Sequence, residues 1–125
     1  MRRVLSLAVA LFVAGVATGM AENYPSRPIT IVVPFPAGGP TDALGRVLAD
    51  RMKRALNEPV IVENVTGAAG TIGTARVARA VPDGHTTILG HWATHVVNGA
   101  TFALSFDVVN DFEPISGPQR VRARR

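Results

Sequence analysis

The feature that most constrains this chain is an alternation. Three short apolar runs, residues 29–33 (ITIVV), 59–63 (PVIVE) and 85–89 (HTTIL), are each followed by a loop, and helical patterns fill the two intervals between them. Continuous β-branched runs of this length are the pattern of strands buried on both faces, and strands alternating with helices imply a parallel sheet with right-handed crossovers. The sequence therefore predicts an α/β fold with a β-α-β-α-β series. Residues 24–28 (YPSRP) form an extended lead-in, because proline holds itself and its predecessor out of helical geometry.

The first helical stripe is Leu44, Val47, Leu48, Met52, Ala55 and Leu56, with Arg46, Asp50, Arg51, Lys53 and Arg54 mainly around it. The second spans residues 71–81. The turn Pro82-Asp83-Gly84 then leads to the third run, glycine taking a positive φ. Beyond Gly90 the pattern weakens to a polar loop turning into a short helix, a capped helical turn over 107–112, and the start of a strand at 113–116.

In a parallel sheet the loops after all three strands lie on one rim, where open α/β sheets bind ligands. These loops are residues 34–41, 64–71 and 90–95. Gly38 and Gly39 allow close backbone approach and unusual angles, and Thr41 or Asp42 opens a helix whose free N–H groups face the same space. Gly67-Ala68-Ala69-Gly70 running into Thr71 repeats the equipment. The competing reading is turn chemistry alone, with Asp42 a helix cap rather than a ligand contact.

Neither loop fits a phosphate motif: Gly67-x-x-Gly70-x-x-Gly73 is not G-x-G-x-x-G, and no G-x-x-x-x-G-K-[ST] is present. A carboxylate suits better, since N–H groups and the hydroxyls of Thr41, Thr71 and Thr94 can hold it in loops free of basic side chains. His91 and His95 stand four apart, but the glutamate of a zinc hydrolase motif is replaced by Trp92. His95 is a candidate hydrogen-bond donor at the rim, His85 belongs at a strand start, and His91 belongs in solvent. Trp92 either walls a pocket or covers the core. Thr94, His95 and Asp42 are the one conceivable nucleophile–base set, and nothing in their spacing supports it. No metal and no cofactor are expected.

Arg2 and Arg3, the apolar stretch 4–17 and the small residues Gly19 and Ala21 read as a cleaved secretory signal peptide over residues 1–21. The apolar core falls short of the roughly 20 residues that span a bilayer. The pI of about 11.0 suggests nucleic acid until the charges are placed. Of 13 Lys and Arg, two lie in the leader and four in the last six residues; the seven between them face all nine acidic residues. The body is not basic, and no nucleic-acid partner is expected. With no cysteine, disulfides and thiolate chemistry are excluded, and the domain relies on its apolar core.

Three stretches carry a resemblance: YPSRPITIVVPFPAGGPTD; PVIVENVTGAAGTIGTARVARAVPDGHTTILG; and THVVNGATF followed by FDVVNDFEPIS. Together they cover residues 24 to about 116, and the chain resembles the Bug family, extracytoplasmic solute receptors of tripartite tricarboxylate transporters. The resemblance implies part of domain 1 of a type II periplasmic binding fold that closes over a small carboxylate, amino acid or related metabolite. Backbone and hydroxyl groups of the first two loops would hold the carboxylate, with bridging water. By similarity the positions are Ala37, Gly38, Gly39, Thr41 and Asp42, then Gly67, Ala68, Ala69, Gly70 and Thr71, with Thr94 and His95 on a third loop near the cleft.

Thr66 stands where the family usually has proline, Ala69 where it has glycine, and Gly99 where proline is common. Family members run to roughly 300 residues, the size of two domains, whereas this chain closes on GPQRVRARR. The expectation is an incomplete ligand-binding domain over residues 22–116 with a disordered arginine-rich tail over 117–125, the product of a truncated or frameshifted gene. The predicted function is a monomeric periplasmic receptor, not an enzyme, partnered by membrane transporter subunits. A nonfunctional remnant and a small α/β enzyme using the same rim are the alternatives.

Overall fold

Strand β1 (Ile29–Val33) forms where the sequence is densest in β-branched residues, and it lies at the centre of the sheet with Ile29, Ile31, Val32 and Val33 buried. The computed structural model describes residues 24–116; the predicted signal peptide and arginine-rich tail lie outside the described residues. Helix α1 (Pro40–Leu56), β2 (Val60–Asn64), a short left-handed turn (Ala68–Gly70), helix α2 (Thr71–Ala78) and β3 (Thr86–Ile88) follow in order. A π-helical turn (Ala93–Val97) then runs into the single-turn helix α3 (Asn98–Thr101).

The sheet is parallel with order β2-β1-β3. Ile29 pairs with Val60 and Val33 with Asn64 on one side, and Thr30 pairs with Thr86 and Val32 with Ile88 on the other. Moving from β1 to β2 and then back past β1 to β3 reverses the direction of travel, so right-handed crossovers must lay the two helices on opposite faces. The side chains bear this out. Glu63 and Asn64 are consecutive in β2 and point to opposite faces; Arg76 of α2 meets Glu63 at 2.6 and 2.8 Å, while Arg46 of α1 meets Asn64 at 3.4 Å.

Several expectations are corrected. α1 starts at Pro40, ahead of Thr41 and Asp42, because proline at the first helical position loses no needed N–H and brings its φ preset. Its sheet-facing line is Asp42, Gly45 and Ala49, whereas Leu44, Val47 and Leu48 of the predicted stripe are 59, 60 and 40% exposed. Small residues win the inner face because the helix lies close to β1: a Cβ on Gly45 would stand 3.0 Å from Val33 Cγ2. β2 begins one residue later than predicted and reaches Asn64, and β3 is shorter at both ends, although Thr30 N–H still donates to His85 O and Leu89 N–H to Val32 O.

α2 ends at Ala78 instead of Val81: Ala80 N–H turns back to Val77 O, and Pro82 bars its predecessor from helical geometry. The turn at 107–112 is capped as predicted, Asp107 Oδ1 accepting from the N–H groups of Val109 and Asn110, but residues 113–116 form no strand. Among the described residues no helix is long and apolar enough to cross a membrane.

Candidate functional site at the strand C-terminal rim

The three loops that follow the strands meet. A Cβ placed on Gly70 would lie 2.8 Å from Thr94 Cγ2 and 3.2 Å from Pro34 O, so the first, second and third loops touch at one point. Asn64 and Asn98 add polar ties. Asn64 Nδ2 donates to Phe35 O at 3.0 Å, joining the end of β2 to the first loop, and Asn98 Nδ2 donates to Ala69 O at 2.9 Å, joining the start of α3 to the second loop.

In the first loop only Gly38, at φ +81°, needs glycine for its backbone angle. Gly39 does not share that role, as its φ of −79° is open to any residue; its constraint is spatial, since a Cβ would lie 3.3 Å from Pro36 O. Asp42 is buried beneath this loop. Its Oδ2 accepts from Gly38 N–H at 2.8 Å and from Arg46 Nε at 2.9 Å, and its Oδ1 accepts from Asn64 Nδ2 at 3.0 Å. Those donors, Arg46 foremost, lower its pKa from 3.8 to about 2. The carboxylate is ionised and fully engaged inside the protein, and it meets the positive end of α1 from within. Arg46 is a cation directly behind a loop that itself contains none.

The second loop is built differently. Gly67, Ala68, Ala69 and Gly70 hold φ of +118°, +44°, +55° and +87°, four positive-φ residues in succession. Gly70 N–H donates to Gly67 O at 2.9 Å, and Thr71 N–H to Ala68 O. Gly73 lets α2 seat on the sheet end, as a Cβ there would stand 2.6 Å from Val65 O. The first turn of α2 contains no acidic residue, so its positive end has no internal carboxylate of the kind Asp42 supplies to α1.

In the third loop Thr94 is fully buried. Its hydroxyl donates to His91 O at 2.9 Å, accepts from His91 N–H at 3.1 Å and lies 2.8 Å from His95 Nδ1. The single hydroxyl proton can serve either His91 O or His95 Nδ1, so the roles of the two ring nitrogens follow the tautomer of the neutral imidazole. Half-burial against Phe112 and Gly90 lowers the pKa of His95 and favours this neutral ring. His91 and Trp92 are exposed, Trp92 at 66%, so the indole does not cover the core; His85 is buried just before β3. No group of three or more metal-ligating side chains occurs among the described residues.

Of the predicted site residues, Ala37, Gly38, Gly67, Ala68 and Ala69 are exposed at the rim, and Gly39, Thr41, Thr71 and His95 are partly exposed. Asp42, Gly70 and Thr94 are brought to the same place but face inward. Sequence reasoning gave no individual role to Pro34, Arg46, Asn64 or Asn98, although Pro34 and Asn64 lie in the predicted rim loops; the position of Asn64 at the boundary between the second strand and its loop was the available signal for it. An open cavity of about 270 Å³ lies elsewhere, between α2 and residues 103–106, and shares Thr71 with the rim.

An open parallel sheet whose loops converge beside the point where the strand order reverses is the ligand-binding scaffold of the doubly wound α/β proteins. A family model described as tripartite tricarboxylate transporter family receptor matches residues 44–122, and the chain belongs to this family. It is 38% identical over 121 residues to the protein BugT of Bordetella pertussis, covering 93% of this chain and 37% of BugT. It is similar to the solved structure of MatC from Rhodopseudomonas palustris with bound malate, at 45% identity and a TM-score of 0.71 over 74% of this chain and 32% of that one. A second R. palustris structure, with adipate, matches at 38% identity and a TM-score of 0.57 over 58% of this chain and 24% of that one. The chain thus spans between 21 and 37% of the length of the curated relatives it matches.

Proposed function

We propose that the chain is the loop-bearing part of a periplasmic solute-binding receptor that holds a small carboxylate for a tripartite tricarboxylate transporter. The observation that carries this reading is the convergence of two glycine-rich strand-to-helix loops at Pro34, Gly70 and Thr94, with Ala37, Gly38, Gly67, Ala68 and Ala69 exposed. Peptide N–H groups at a helix start favour an anion without a basic side chain. Malate and adipate in the two R. palustris relatives supply the ligand class. Thr41 and Thr71 are the hydroxyls placed to join the backbone, while Asp42 and Thr94 hold the loops from behind.

The proposed role is binding rather than catalysis. The trio of Thr94, His95 and Asp42 does not form a nucleophile–base relay, since Asp42 is engaged by Gly38, Arg46 and Asn64 and Thr94 is buried. The test is an amide NMR titration of the isotope-labelled full chain with sodium malate, with sodium chloride as the control. Shifts confined to Gly38 and residues 67–71 are expected; shifts clustered instead on the outer faces of α1 and β2, or none at millimolar malate, would refute the reading.

A further inference from the structure

Left-handed backbone is unfavourable for an L-residue with a Cβ and persists only where the surroundings over-determine it. The second loop places two alanines, Ala68 and Ala69, in that state between two glycines. Three of its restraints are local, the Gly70-to-Gly67 and Thr71-to-Ala68 bonds and the Thr74 hydroxyl donating to Gly70 O at 2.8 Å. A fourth comes from across the rim. Asn98, 3% exposed, aims its amide at the Ala69 carbonyl from the junction of the π-helical turn and α3.

Thr94 and Asn98, four residues apart on successive turns, lie against the same loop, the Thr94 methyl toward Gly70 and the Asn98 amide on Ala69 O. A buried amide without a partner is costly, so Asn98 specifies one carbonyl at one position, not merely a filled space. Holding that carbonyl fixes the plane of the Ala69–Gly70 peptide and, through it, the turn.

We infer that Asn98 is a positioning residue for the carboxylate site: by gripping Ala69 O it sets the left-handed turn of Gly67–Gly70 that presents backbone at the rim. This rests on the reading of the rim as a carboxylate site. It also accounts for Ala69 standing where glycine would be easier, since the restraint from Asn98 replaces glycine's freedom.

The test uses the full chain with Asn98→Asp, Ala69→Gly and the double variant. The probes are amide hydrogen exchange and sodium malate titration. At pH 7 the carboxylate introduced by Asn98→Asp cannot donate, so Gly70 and Thr71 amides should exchange about tenfold faster while Ile31 and Val32 in β1 are unchanged, one lost hydrogen bond being worth about a factor of ten. Malate affinity should fall by a similar factor. Adding Ala69→Gly should recover most of both, because glycine takes the turn unaided. If N98D does not fold alone, the double variant should still fold, with Gly70 and Thr71 exchanging close to their rates in A69G, which is the same recovery read as folding.

Exchange accelerated equally in β1 and the loop, or no recovery with A69G, would overturn the inference and make Asn98 a packing residue. Malate binding by the parent chain that N98D leaves intact would also overturn it, with the site reading still standing. A parent chain that gives no malate shift would instead remove the site reading, and the positioning role with it.

Discussion

Replacing Gly70 by alanine tests whether the three loops truly meet. The new methyl would stand 2.8 Å from Thr94 Cγ2, 3.2 Å from Pro34 O and 3.3 Å from Pro34 Cβ, all inside normal contact, and the backbone there has φ +87°. Left-handed strain costs about 1–2 kcal/mol for a residue with a Cβ, and overpacking in a close-packed site adds about 1–3 kcal/mol. Alanine also lowers the entropy of the unfolded chain, which returns about 0.4–1 kcal/mol. The expected net loss is therefore about 2–4 kcal/mol, a large part of the roughly 5–15 kcal/mol that holds a domain folded.

Gly38→Ala is the matched control. Its φ is +81°, almost the same, but nothing lies within 4 Å of the added methyl. It should cost about 1 kcal/mol, the strain less the entropy returned. Urea unfolding of both variants, followed by circular dichroism, yields the two losses, and their difference isolates the contact among Pro34, Gly70 and Thr94. Equal losses for the two variants would mean that the loops do not pack together, and the receptor reading would lose its main support.

Two further predictions concern charge and packing. Asp83, which accepts from His85 N–H and Arg27, has its pKa lowered from 3.8 to about 2, and Asp42 is lowered to a similar value. Because the folded pKa lies below the unfolded one, both groups contribute stability that is present above about pH 4 and lost as pH falls toward 2; Asp83→Asn should flatten urea midpoints measured between about pH 5 and 2.5, and an unchanged slope would count against this. Leu44→Ser on the exposed side of α1 should change stability by no more than about 0.5 kcal/mol, whereas Ala49→Leu on the sheet side should cost about 1–3 kcal/mol; thermal melts giving the reverse order would restore the predicted stripe.

What the sequence alone determined is the order of elements and its main consequence. Apolar runs at 29–33 and 59–63, turn residues after them and 3.6-residue patterns between them are local signals, set by backbone sterics and by which residues must leave water. Once the strands alternate with helices, the crossover connections make the pairing parallel and put the strand ends on one rim, so the meeting of the Gly38 and Gly70 loops was legible before any coordinates. Tertiary structure decided how polar groups were used and how closely the layers approached. Leu44 and Val47 have the right period but the wrong face, because β1 admits only Gly45 and Ala49. Asp42 and Thr94 have ligand-binding chemistry but face inward, because Gly38, Arg46, Asn64 and His91 reach them first; Asn98 reads as a loop residue until Ala69 O is found beside it. Hydrogen-bond partners far apart in sequence leave no periodic trace, and a polar side chain takes its role from the atom it meets in the folded chain.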